Sequence, residues 1–195
     1  VPPPTATGPP GKQYKRTPQD LGFEDVGDGV LARAARLRVG ITVGRMLQVG
    51  NLDRPKPEDG PLPPGRATLE VLVNRMCILG NPFDMKKDER LRGPVISANQ
   101  EYLRILLDEA AGGAGAAEGS LGAVAAAIAP KFGLHPQVNI SADWRKSHGL
   151  NGRRSDFCAA FRRLRGLHEQ ERAGGGALRL MCHCAPRFCH ATDIA

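Results

Sequence analysis

Three of the five cysteines fall in the last eighteen residues, L-R-L-M-C-H-C-A-P-R-F-C-H-A-T-D-I-A, interleaved with two histidines. Thiolate and imidazole are the ligands zinc prefers, and Cys182, Cys184, Cys189 and His190 lie within nine residues. Their spacing opposes a closed tetrahedral site. The two C-x-x-C knuckles are missing, and adjacent side chains at 189 and 190 do not readily aim at one ion. Cys182 and Cys184 fall in phase with Leu178 and Leu180, where thiols serve as small apolar groups. A metal centre is therefore the weaker reading.

Cys189 and His190 follow the turn A-P-R-F, past the end of the strand. In parallel α/β sheets ligands bind beyond the carboxyl ends of strands, and a helix starting there lowers a thiol's pKa and offers N–H groups to an anion. Cys189 then reads as nucleophile or acid with His190 as its proton partner; the competing reading is a thiol that plugs the junction. A second group lies in N-R-M-C-I-L-G-N-P-F-D. Asn74 and Arg75 end a predicted strand, and Gly80 and Asn81 open a tight polar turn. Arg75 suits a phosphate or carboxylate fork, and Asn81 either reads a base edge or closes an Asx turn. The third group is basic: Arg145, Lys146, Arg153, Arg154, Arg162, Arg163 and Arg165, with Trp144 beside them, a composition fitting RNA backbone contact as well as a solvated helix face. No Walker loop, G-x-G-x-x-G or H-E-x-x-H occurs, and the residues point to no cofactor.

The elements that must carry these groups can be read from period and punctuation. Residues 1 to 20 are rich in proline and are expected to form a tail. Asp28 is expected to cap a short helix bearing Val30, Leu31, Ala34 and Leu37, and R-V-G-I-T-V-G-R-M-L-Q-V-G reads as a strand. A Pro/Gly-dense connection over 51–66 then leads to L-E-V-L-V-N-R, a short strand. Ser97 and Gln100 form a capping box for a helix with Leu103, Leu106, Leu107 and Ala110 inward. Ser120 caps a second helix, and Ser155 a third with Phe157, Ala160, Phe161 and Leu164 inward. L-R-L-M-C-H-C alternates as a closing strand. Strands separated by helices predict an α/β fold: a small Rossmann-like three-layer sandwich with a mostly parallel sheet and an extended N-terminal tail. Residues 1–66 are read as a Pro-rich basic extension with one short helix and strand, and 67–195 as the α/β domain, with an Ala/Gly- and Arg-rich insertion at about 111–176.

Composition narrows the partners. The formal charge is +7, with pI near 9.5. That favours an anionic partner: RNA, protein subunits of an RNA-containing complex, or a nucleotide ligand. No stretch reaches the length of a membrane span. The odd, crowded cysteines fit a reducing intracellular compartment better than a secreted disulfide framework, and an opening at Val1 fits an organelle, mitochondrion or chloroplast, entered with a presequence.

Taken in order, V-N-R…I-L-G-N-P-F…R and the closing C-x-C-x-P-x-x-C-H resemble an uncharacterised family of small α/β domains found in bacteria, phages and some algae and plants. The resemblance covers roughly residues 69–110 and 178–194. It implies a Rossmann-like sheet with a nucleotide or nucleic-acid connection. It carries over Asn74, Arg75, Gly80, Asn81, Pro82, Phe83, Cys182, Cys184, Pro186, Cys189 and His190, with Arg90 or Arg92 at the family's arginine before its helix. The chain departs from the family in a shortened 75–80 segment, an expanded middle, and a stop after Asp193 where the family continues into a helix. The leading expectation is a non-catalytic accessory subunit of a large, organellar, RNA-containing assembly. The alternative is a small enzyme on a nucleotide-like ligand using Cys189 and His190, and a structural zinc module is the weaker third.

Overall fold

The computed structural model describes residues 17–34, 41–42, 47–51, 67–112, 119–182 and 194. The proline-rich tail before Thr17, the connection over 52–66, most of the Ala/Gly segment and the signature residues Cys184, Pro186, Cys189 and His190 lie outside the described residues.

Six strands form one sheet: β1 (Glu24–Asp25), β2 (Leu31–Ala34), β3 (Ile41–Thr42), β4 (Leu47–Asn51), β5 (Ala67–Leu72) and β6 (Ala177–Cys182), in the order β1-β2-β5-β6-β4-β3. β6 is central and runs parallel to β5 and to β4. The other three pairings are antiparallel. The fold is α/β, but the expected Rossmann-like, mostly parallel sheet is not formed: hairpin-type partners flank a parallel centre, and such partners need no helical crossover.

The expected helix after Asp28 is a strand. Gly27, Asp28 and Gly29 all take positive φ (113°, 53° and 71°), turning the chain between β1 and β2. That conformation cannot start a right-handed helix, and V-G-D-G-V is in retrospect a hairpin signal. β2 then pairs along its whole length with β5, so tertiary pairing overrides the helical spacing of Val30, Leu31 and Ala34. Residues 24–51 thus contribute four strands, flanking the β5–β6 pair on both sides.

Five helices follow: α1 (Arg92–Gly112), α2 (Leu121–Ile128), α3 (Pro136–Asn139), α4 (Ala142–Trp144) and α5 (Arg154–Ala173). α1 begins five residues before Ser97, which lies inside it. A 3₁₀ turn, Glu89–Leu91, leads in, its first turn capped by Asp88 through the Arg90 N–H. Ser120 does cap α2, accepting from the Ala123 N–H. α5 starts ahead of Ser155; there the Asp156 carboxylate accepts the Arg153 N–H at 2.9 Å. Its inward stripe is nonetheless close to that expected, with Phe157, Ala160 and Leu164 buried and Phe161 partly buried against the same core.

The two faces of the sheet differ. Val71, Val73, Leu178, Leu180 and Cys182 share a core with Leu103 and Leu106 of α1, Leu121 of α2 and Phe157 of α5. Leu72 and Met181 point the other way, towards Phe23, Cys77 and Leu21, with no described α-helix among them, only the 3₁₀ turn Gln19–Leu21. Among the described residues the helices therefore cover one face, so the third layer of the expected sandwich is not formed by helices. On that second face the cross-strand neighbours Arg33, Glu70 and Arg179 make a charged row inside the protein. Glu70 and Arg179 are both 0% exposed.

Candidate functional site

Because β4, β6 and β5 run parallel, their carboxyl ends, Asn51, Cys182 and Leu72, meet along one edge of the sheet. The G-N-P-F box leaves from β5 at this edge, and the C-terminal signature leaves from β6 beside it. The Val73 N–H still donates to the Met181 carbonyl, so the two strands stay zipped to the point where the boxes begin. In open α/β sheets this edge is where ligands lie.

The first box is built as a folded loop. Asn74 is buried, and its Oδ1 accepts from the Met76 N–H at 2.9 Å. Asn81 repeats the device, accepting from the Phe83 N–H at 2.8 Å. Both asparagines therefore close Asx turns, the commoner use of that side chain. Gly80 is required by proximity: a Cβ there would sit 1.9 Å from the Asn74 carbonyl oxygen. Arg75 Nη2 donates to the Phe83 carbonyl at 2.8 Å while Nη1 lies 3.4 Å from Asp84. Its side chain remains 39% exposed, so the guanidinium staples the loop with an open flank. Burial pushes the Asp84 carboxyl up, but the Lys86 N–H and the charges of Arg75 and Lys86 outweigh it, leaving its pKa below the ordinary value.

A second segment clamps the loop from outside. Ser141 donates its N–H to the Pro82 carbonyl, Asp84 donates its N–H to Asn139, and Asn139 Nδ2 returns a bond to the Asp84 carbonyl. Phe83 and Ile140 bridge antiparallel. His148 sits in a single π turn, Arg145–Gly149, with Nε2 2.9 Å from the Met76 carbonyl. Burial lowers its pKa, so the ring is neutral and Nε2 carries the hydrogen it donates. Nothing in the periodicity singles out Asn139 or His148. A π turn amid tight glycine contacts is a tertiary device with no hydrophobic period, and Gly149 and Gly152 were its only signs.

Burial disposes of three thiols as reactive groups. Cys77, Cys158 and Cys182 are all buried. Burial drives the Cys77 pKa up to about 12. Cys182 lies in the main core, the packing role its alternation with Leu178 and Leu180 indicates. No group of three metal-ligating side chains forms among the described residues.

The seven basic residues do not act as one patch. Arg145 donates to the Pro136 carbonyl, Arg163 to Val26 and Arg162 to Ala110, while Arg154 pairs with Glu109. Arg165 lies 3.6 Å from Glu169. Lys146 and Arg153 are exposed with no carboxylate partner among the described residues. Arg90, 89% exposed in its side chain, forks onto Asp88, and Arg92 onto Glu89.

The arrangement defines an α/β domain in which β5 leads into the G-N-P-F box beside the carboxyl end of β6, which closes at Cys182. Residues 65–195 match a family described as a domain of unknown function (DUF4326), and the chain belongs to that family. No curated protein matches it, and no solved structure does. No helix of the described residues is long and apolar enough to cross a membrane.

Proposed function

We propose that the protein is a non-catalytic, RNA-contacting subunit of a larger assembly, with an organellar ribonucleoprotein as its setting. The observation that carries this reading is where the charge lies. Residues 84–112 hold five lysines and arginines against six carboxylates, many of them paired. Residues 119–176 hold nine against four. The basic excess is therefore concentrated on the helical insertion, away from the balanced surface of α1, and a polyanion would be drawn there. The test is binding of a single-stranded RNA oligonucleotide across a salt series. A contact to phosphate through Lys146 or Arg153 lowers the log–log salt slope by about 0.7 when that residue becomes alanine. Arg104→Ala on α1 leaves the slope unchanged. Affinity that ignores salt overturns the proposal.

A second reading is favoured by one specific observation, the parallel pairing of β5, which leads into the G-N-P-F box, with β6, which ends at Cys182 of the signature. On it the protein is a small enzyme for a nucleotide-like ligand, with Cys189 and His190 as the reacting pair. Arg75 would face the anion; Asn74, Gly80 and Asn81 would shape the loop. Iodoacetamide labelling of the native protein discriminates, since buried Cys77, Cys158 and Cys182 give a low background. Fast labelling of Cys189 with an acidic pH midpoint supports the enzyme; labelling at the rate of an ordinary exposed thiol removes it.

A further inference from the structure

Three aromatic and amide side chains in the interior hold polar atoms with no hydrogen-bond partner among the described residues. Tyr102 is 0% exposed and meets Phe83, Trp144 and Phe157 edge-on, each with ring centroids 6.2 Å apart. Its hydroxyl has no hydrogen-bond partner, nor has the indole N–H of Trp144, also 0% exposed. Asn99 lies one turn before Tyr102 on the buried face of α1 and is 1% exposed, and both its amide nitrogen and its oxygen are unpartnered.

Each of these groups gives up hydrogen bonds to water on folding and recovers none from the chain, a penalty that is a sizeable share of a domain's marginal stability. These four atoms belong to three neighbouring side chains: Trp144 packs edge-on against Tyr102, and Asn99 shares its buried helix face. Asn99 offers a donor and an acceptor, Trp144 a donor, and Tyr102 either. A carboxylate would satisfy the donors and repel the Asn99 oxygen; an ammonium would do the reverse. Burial also penalises any ion there, and it pushes the Tyr102 hydroxyl up, keeping it neutral.

We propose that Asn99, Tyr102 and Trp144 form an internal binding site for a small neutral molecule that both donates and accepts hydrogen bonds, either an integral water or a polar metabolite of similar size. The site lies beneath the G-N-P-F box, since Phe83 packs on Tyr102 and the Phe83 backbone is held by Asn81 and Arg75. Its occupant would tie α1 to that loop and to the segment bearing Trp144.

Trp144 is the sole tryptophan, so its indole N–H is a single, assignable proton. The full-length protein is measured by water-selective nuclear Overhauser spectroscopy and by urea denaturation, beside Asn99→Leu, which keeps the branched heavy-atom skeleton and removes the amide. An occupied site predicts magnetisation transfer from water to the indole N–H in the parent, its loss in Asn99→Leu, and a lower denaturation midpoint for that variant. A neutral small molecule released from the denatured parent and identified by mass spectrometry supports the same site and names the metabolite source; transfer without such a molecule assigns it to water. If Asn99→Leu raises the midpoint and leaves the indole signal unchanged, the amide was an unfilled liability and the proposal is overturned. Should that variant fail to fold, Tyr102→Phe removes one oxygen and carries the same test.

Discussion

Glu70→Gln is the most demanding test of the second face of the sheet. Glu70 Oε2 accepts from Arg33 Nε at 2.9 Å, and Oε1 lies 3.2 Å from Arg179 Nη1. Arg33 also stacks over the Phe23 ring, 4.4 Å from its centroid, and donates to the Leu21 carbonyl. Two cations thus share one carboxylate, although Glu70 and Arg179 each make further contacts. Glutamine keeps the shape and removes the carboxylate charge that the wholly enclosed Arg179 guanidinium faces at 3.2 Å. Removing one partner of a buried pair costs about 3–5 kcal/mol, against a total stability of about 5–15 kcal/mol for a domain. Arg179→Met behaves differently. It removes one of the two cations on Glu70 and leaves Glu70 paired with Arg33, whose side chain is 11% exposed, so the loss should be roughly 1–2 kcal/mol. The double variant should be more stable than Glu70→Gln alone, because the buried charge that faced the lost carboxylate is gone too. Urea denaturation followed by Trp144 fluorescence measures all three without changing ionic strength, and equal slopes confirm that only stability has moved. The reasoning is refuted if Arg179→Met is the worse single change, or if the two losses simply add.

Gly80→Ala should lose about 3 kcal/mol in the same assay, because its Cβ would meet the Asn74 carbonyl at 1.9 Å and backbone must move; a neutral result would mean the loop is not folded this way. His148 is neutral in the fold with a lowered pKa, so the unfolded chain binds the extra proton. Its share of stability is present above about pH 6.5 and is lost as pH falls from there towards its folded value, and His148→Gln should flatten that limb of a stability–pH curve. Cys77 shifts the other way: its share is intact below the ordinary thiol value and disappears as pH rises towards about 12, so native protein at pH 8 should protect it from alkylation that urea permits. A fragment starting at residue 65, the span of the family match, would uncover the flanks of β5 and β6 that β2 and β4 occupy and should aggregate where the full chain does not; a soluble, cooperatively folding fragment would count against this reading of the sheet.

What was legible in the sequence follows the range of the forces involved. The alternation of Leu178, Leu180 and Cys182 and the stripe Phe157, Ala160, Leu164 are local periods, and both faces came out as read. Helix starts were less secure, because a plausible capping serine carries no information about whether the helix has already begun. Ser97 and Ser155 both fall inside helices opened by upstream residues. The sheet's hand was the larger miss. Helix-separated strands imply parallel neighbours, but β2 and β4 come from the N-terminal segment and take the two places beside β5 and β6, a long-range choice that no local period records.

The same distinction bears on the candidate site. The family box was found by its residue types, yet those types serve two purposes that spacing cannot separate. Asn74, Gly80 and Asn81 are needed to fold a loop this tight: the Asn74 and Asn81 carboxamides close its two Asx turns, and Gly80 leaves room for the Asn74 carbonyl. Loop shape is therefore one sufficient reason for these residue types in the box. Arg75 is the exception, since a staple between Phe83 and Asp84 does not require a flank that is more than a third exposed. Arg75→Lys would keep the charge but lose the fork that reaches the Phe83 carbonyl and Asp84 together. If the box exists to hold a ligand, that change should impair binding more than stability. If it exists to brace the sheet edge, stability alone should fall.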